Sequence, residues 1–231
     1  MSALQTVGLL AVGTAAGLDL VSGPQVLLAR PIVAGTLAGL VLGDVTNGLL
    51  VGGILELYAL EVLPVGAARY PDHGPGTVGA VWLTVQTGTS AAAFGVLLAL
   101  LFAEIGGHAL IALRRWNGRA LARATGALDR GEIRAAAELQ MGGAFRDMIR
   151  SLLLTSLALA AAAVLLPLVL RAERLSALLA VVVIGAGLAG AVAGAIRTAG
   201  RSQRSVALSA ALVAGWIVAG IAGIYPRWGG W

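Results

Sequence analysis

The chain contains no cysteine, which excludes disulfides, thiolate metal sites and cysteine nucleophiles. It has no lysine either: all 16 basic residues are arginine, which reports coding bias more than chemistry. Charge of any kind is scarce, at 12% of 231 residues, against about 25% in an ordinary soluble domain. Histidine occurs twice, at His73 and His108, too far apart in sequence to suggest a metal site or a nucleophile with its base. What replaces these groups is apolar: 58% of residues are hydrophobic and the mean hydropathy is +0.91. A soluble fold of this length cannot bury so much. The composition therefore predicts a single all-α, polytopic integral-membrane domain over 1–231. The net charge of +5 does not point to nucleic acid, because the arginines flank apolar runs instead of forming a basic face.

Crossing a hydrocarbon core of ~30 Å takes about 20 apolar residues as helix. Three late runs meet that length, Leu152–Leu170, Leu175–Ile196 and Val206–Ile224, each bounded by arginine. They predict plain spanning helices over 151–231. The region 1–113 is less regular. Ala3–Leu18 lacks the basic start of a signal peptide and closes on Asp19, so it reads as a retained first membrane element. Ile32–Leu55 is long and glycine-rich, Leu57–Ala68 is too short to span, and Thr77–Leu113 is too long for one helix. Thr84, Gln86, Thr87, Thr89 and Ser90 divide the last of these into a polar-studded piece and a clean helix over Ala91–Leu113. Short, interrupted segments of this kind, broken or re-entrant, are what transporters use where unwound backbone lines a site.

Between the halves lies Arg114–Arg150, with eight of the 16 arginines. Leu113, Trp116, Ala120, Leu121, Ala124 and Leu128 recur at helical spacing, which predicts an amphipathic helix lying on the membrane surface. The positive-inside rule makes this basic connector cytoplasmic. Gly35, Gly39, Gly43, Gly48 and Gly52 fall every four or five residues, a spacing that lets helices approach closely. Gly185–Ala186–Gly187–Leu188–Ala189–Gly190 spells a dinucleotide-binding turn, but no acid follows for the ribose and the apolar run continues to Ile196, so a membrane helix is the better reading.

The informative residues are acids in apolar surroundings. Glu56 sits in Leu49–Leu50–Val51–Gly52–Gly53–Ile54–Leu55–Glu56–Leu57–Tyr58. A carboxylate at the centre of a membrane helix costs about 2.5 kcal/mol or more, so it needs a partner or a wet cavity. Asp19 and Asp72 lie at similarly awkward depth, and Gln25 adds an amide. Such groups, with Tyr58, Tyr70 and Trp82 nearby in sequence, suit a polar, hydroxylated solute. Asp44, in Gly43–Asp44–Val45–Thr46–Asn47, reads as a turn or cap residue. Glu61 pairs with Arg69 or faces an interface, and Glu104 with His108, four residues on, shares a helix face. No cofactor or metal is implied.

The ordered run Arg30–Pro31–Ile32–Val33–Ala34–Gly35 through Gly43–Asp44, then Gly48–Leu49–Leu50–Val51–Gly52–Gly53–Ile54–Leu55–Glu56–Leu57–Tyr58, Val65–Gly66–Ala67–Ala68 and Pro71–Asp72 resembles the IIC membrane subunit of the mannose-type phosphotransferase system. Phe145–Arg146–Asp147–Met148–Ile149–Arg150 matches the family more loosely. The resemblance implies a bacterial inner-membrane subunit that works as part of an oligomer with a IID membrane partner and translocates a hexose or amino sugar by elevator-like movement. Soluble IIA and IIB phosphocarriers then perform the phosphoryl chemistry, so the chain is not itself an enzyme. It also implies that the family's sugar-contacting residues fall on Gln25, Glu56 and Asp72. The spacing from Gln25 to Arg30–Pro31 is longer than in the mannose carriers. Pro64 stands where they have an asparagine, which points to another sugar or to a member uncoupled from phosphorylation. Two other readings stay open: a membrane scaffold or regulatory protein of the same fold, and a carrier of an unrelated polar solute.

Overall fold

A computed structural model describes residues 1–60, 69–198 and 215. Every regular element among the described residues is helical: α1 (Ala3–Asp19), α2 (Pro31–Leu42), α3 (Val45–Ala59), α4 (His73–Thr87), a 3-10 turn (Thr89–Ala91), α5 (Ala92–Asp129), α6 (Ile133–Arg171) and α7 (Glu173–Thr198). The expected spans Leu152–Leu170 and Leu175–Ile196 lie within α6 and α7. Val206–Ile224 apart from Gly215, Glu61, Pro64 and most of Leu57–Ala68 fall outside the described residues.

Local chemistry sets the helix ends. Ser2 and Gln5 form a reciprocal capping box, with Ser2 Oγ accepting from the Gln5 amide at 3.2 Å and Gln5 Oε1 from the Ser2 amide at 3.0 Å, so two orphan N–H groups at the start of α1 are satisfied. The run Ile32–Leu55 is not one helix. Gly43 ends α2 at φ 80, a left-handed conformation that glycine adopts without a Cβ penalty. Asp44 then caps α3, accepting from the Asn47 amide at 3.0 Å and from its Nδ2 at 2.7 Å. Asp44 is thus the cap residue its sequence context indicated.

The result is a hairpin held backbone to backbone. A Cβ built on Gly48 would stand 2.4 Å from the Gly35 carbonyl oxygen, one on Gly35 2.6 Å from that of Gly48, and one on Gly52 2.6 Å from that of Pro31. No side chain fits there, which is why the small residues recur along these two helices.

Length separates the helices into two kinds. At 1.5 Å per residue α2, α3 and α4 extend only about 18–22 Å, whereas α5 and α6 extend roughly 57 Å and α7 about 39 Å. Among the described residues three long helices are apolar enough to cross a membrane, and the shorter ones pack among them. α4 is central: it contacts α1, α2, α3, α5 and α6, and nearly all of Gly74–Thr84 is buried. Val78, Val81 and Leu83 meet Leu9 of α1, Val51 and Leu55 of α3, Val96 of α5 and Ala158 of α6 in one apolar core. The threonines that mark this helix as polar donate into their own backbone, Thr77 to the His73 carbonyl at 2.8 Å and Thr84 to that of Ala80 at 2.9 Å. Burying the hydroxyls therefore leaves nothing unpaired. Gly88, at φ 87, closes α4, close to the division expected in Thr77–Leu113.

Arg114–Arg150 differs from the surface helix expected of it. Both long spans run on without interruption, α5 to Asp129 and α6 from Ile133, joined by a turn with Gly131 at φ 75. They form an antiparallel hairpin extending past the apolar part of the bundle. The alanine, leucine and arginine of Arg114–Asp129 are strong helix formers, so nothing stops α5 at its last apolar turn. The stripe Ala120, Ala124 and Ala127 faces Ala135 and Leu139 of α6 across a groove of about 470 Å³. A surface helix and a hairpin helix share the same 3.6-residue period, so the pattern alone does not tell them apart.

The glycine-rich run in α7 is continuous helix. Gly187 is a notch for Tyr58: a Cβ there would lie 2.9 Å from Tyr58 Cε2, and the Tyr58 hydroxyl donates to the Val183 carbonyl at 2.6 Å.

Candidate functional site

The segment between α1 and α2, the end of α3 and the entry to α4 meet at a cleft of about 90 Å³, lined by Leu20, Ala29, Arg30, Pro31, Ala59, Tyr70, Pro71 and His73. Its shape follows from two helix starts. Pro31 opens α2 and Arg30 caps it in extended backbone; Asp72, following Pro71, caps α4 in extended backbone as well.

Glu56, one turn before the end of α3, meets the Arg30 guanidinium in a salt bridge and also accepts from the Ile32 amide at 3.2 Å. The partner that its apolar surroundings demanded is therefore Arg30, helped by the positive N-terminal end of α2. The pair is not sealed: the Arg30 side chain is 36% exposed and that of Glu56 17%.

Asp72 is fully enclosed. Its amide donates to the Ala103 carbonyl at 2.9 Å, and one carboxylate oxygen accepts from Arg150 Nη1 at 2.5 Å. The other oxygen, Oδ1, has no partner among the described residues. Arg150 also donates through Nε to Asp147 at 2.8 Å and through Nη2 to the Gly17 carbonyl at 3.3 Å. The second oxygen of Asp147 accepts from the Ser22 hydroxyl at 2.6 Å. One guanidinium thus holds two buried carboxylates and ties α1, the segment after it, α4 and α6 together.

Asp19 is also buried, but both its oxygens are used on backbone, from the Val26 amide at 2.6 Å and the Ala29 amide at 3.1 Å. It shapes the segment leading to Arg30. Gln25 sits on that segment, exposed and at φ 56, and does not line the cleft. The four residues picked from the sequence are therefore placed differently: Glu56 is at the cleft through Arg30, Asp72 lies between two lining residues but is itself enclosed, Asp19 supports the wall, and Gln25 lies apart. Of the three aromatics, Tyr70 lines the cleft, Tyr58 anchors α7 and Trp82 belongs to the core.

Sequence reasoning passed over Arg30, His73, Asp147 and Arg150. Arg150 reads as the boundary of a span, although Asp147 three residues earlier shares its helix face, and that pairing was the available signal. The entry to α4 is fastened on its other side too. Arg69 donates to Glu104 at 2.7 Å and meets His108 Nε2 at 3.0 Å, and Arg114 donates to the Tyr70 hydroxyl at 2.9 Å. Glu104 and His108 thus share Arg69. Among the described residues no cluster of His, Cys, Asp and Glu has the makings of a metal site.

Long spans enclosing short, capped helices, with charged groups gathered where the short helices begin, define a polytopic membrane protein. The family described as "PTS system sorbose-specific iic component" matches residues 3–196, and the chain belongs to that family. Over 121 residues it is 32% identical to the mannose-specific EIIC component of Escherichia coli strain K12, covering 52% of this chain and 45% of that protein. It is 40% identical over 77 residues to the sorbose-specific EIIC component of Klebsiella pneumoniae, 33% of this chain and 29% of that one. With the fructose permease IIC component of Bacillus subtilis strain 168 it shares 38% over 106 residues, 46% of this chain and 39% of that one. In each case the matched stretch spans less than half of the relative's length. Solved structures share the fold as well. A membrane protein superposes with a TM-score of 0.74 at 24% identity, covering 97% of this chain and 95% of that one. The mannose transporter ManYZ, in complex with microcin E492, gives 0.63 at 23% identity, covering 97% and 94%.

Proposed function

We propose that the chain is the sugar-translocating IIC subunit of a mannose-type phosphotransferase permease in the bacterial inner membrane. It moves a hexose or amino sugar together with a IID membrane subunit, and soluble IIA and IIB proteins supply the phosphoryl group. The observation that carries this reading is the Arg30–Glu56 pair at the cleft, in a chain of this family. The carboxylate accepts from sugar hydroxyls, the guanidinium donates to them, and the Tyr70 ring offers an apolar wall.

A cleft of about 90 Å³ is well short of the ~300 Å³ at which ligand sites begin. Admitting a sugar therefore requires the α2–α3 hairpin and the entry to α4 to separate. The α2–α3 hairpin is suited to moving as a unit, because its glycines bind its two helices to each other. Phosphoryl transfer is left to the partner proteins.

The test is thermal stabilisation of the purified chain with its IID partner across a panel of hexoses and amino sugars. At least one sugar raises the unfolding midpoint; a flat response across the panel removes the reading. The arginine-rich hairpin is assigned to the cytoplasm by its excess of charge over the Arg171–Arg174 end. A cysteine placed at Gly118, where open space surrounds the backbone, should resist impermeant thiol reagents in intact cells and react after lysis. Labelling in intact cells reverses the orientation.

A further inference from the structure

His73 is not explained by the network around it. It is the first residue of α4 and lines the cleft beside Arg30 and Tyr70. Its backbone is fixed from both sides: the carbonyl accepts from Thr77, and Asp72 before it is held by Ala103 and Arg150. Its ring nitrogen Nδ1 is closed off from solvent and has no hydrogen-bond partner among the described residues. A buried polar atom without a partner is costly and rare, and a ligand is one of the things that supplies the missing bond.

The chemistry of the cleft favours the same role. Arg30 only donates and an ionised Glu56 only accepts, and in this structure each is occupied by the other. A neutral imidazole offers one donor and one acceptor nitrogen. Since a sugar hydroxyl both gives and takes a hydrogen bond, the ring can serve it in either tautomer. We propose that His73 is a cargo-contacting residue that sets specificity, its Nδ1 bonding one hydroxyl of the sugar once the cleft opens. This deepens the sugar-carrier reading and rests on it.

The experiment compares uptake of radiolabelled sorbose, fructose, mannose and N-acetylgalactosamine by cells that produce the full chain with its partner subunits and have no other route for them. For the sugar taken up fastest, His73→Ala and His73→Gln raise KM about tenfold, the size expected for one lost hydrogen bond, while Vmax and the amount of protein in the membrane stay within about twofold. His73→Asn, whose amide falls near the position of Nδ1, restores KM to within about threefold of the parent. A structural role would not distinguish the Asn and Gln variants by KM alone. Equal KM values for those two, an unchanged KM in His73→Ala, or a loss confined to Vmax overturns the inference. If His73→Ala does not reach the membrane, the Asn and Gln pair decides. Uptake that responds to Glu56→Gln but not to His73 substitutions rejects this inference and keeps the carrier. Absence of uptake for all four sugars, or indifference to Glu56→Gln, rejects the carrier reading and the inference with it.

Discussion

Arg150→Met lowers stability by about 3–5 kcal/mol, because two carboxylates lose the cation that justifies their burial. Asp72 and Asp147 have fully buried side chains and that of Arg150 is 7% exposed, so water cannot take over. The variant should accumulate poorly in membranes and, once extracted, unfold at a clearly lower temperature. Arg150→Lys falls between the two, since one ammonium cannot reproduce the guanidinium's geometry with both acids and the Gly17 carbonyl. Restoring charge balance tests the cause. Combining Arg150→Met with Asp72→Asn and Asp147→Asn should recover part of the loss, because these residues are directly coupled. A thermal midpoint in Arg150→Met equal to the parent's would show that the network does not hold the helices.

Glu56→Gln has the opposite profile. The protein still inserts and folds, since a partly exposed ion pair is worth only about 0–1 kcal/mol. Sugar uptake falls about tenfold or more, because charge-assisted hydrogen bonds to the cargo become neutral ones of about half the strength. The check is initial-rate uptake normalised to membrane-inserted protein. Uptake at the parent's rate would remove Glu56 from the pathway. Together the two substitutions separate a carboxylate network that holds the fold from the carboxylate proposed to meet the cargo.

The local elements were legible for local reasons. Asp44 before Val45–Thr46–Asn47 reads as a cap, and it is one, because an N-cap needs only an acceptor within three residues of the first free amides. Glycines four apart announce close helix approach, and the α2–α3 hairpin supplies it. The context of Asp44 also marks the break at Gly43, although an apolar run of this length does not by itself show that α2 and α3 fold back on each other. The hairpin over 114–150 was missed for a related reason: amphipathic periodicity gives the face of a helix but not what that face rests on.

The site shows the same limit more sharply. An acid among apolar residues is visible in the chain, and so is its need for a partner. The partner itself is not. Arg30 lies 26 residues before Glu56, Arg150 lies 78 after Asp72, and Ser22 and Asp147 are 125 apart. His108, four residues after Glu104 on one helix face, meets it through Arg69, while His73 in its turn-rich stretch gave no sign of lining a cleft.

By itself the sequence determined the membrane class, the helical content, the spans within α6 and α7 and the presence of acids that must be neutralised, because these depend on composition and on neighbours within a turn or two. Only the tertiary structure decided which cation serves which carboxylate, that Asp19 and Asp72 are enclosed while Glu56 pairs with a cleft-lining arginine, and that an unpartnered imidazole nitrogen belongs to another lining residue. Those outcomes depend on which helix faces meet across the bundle, and meeting is set by packing between segments far apart in the chain.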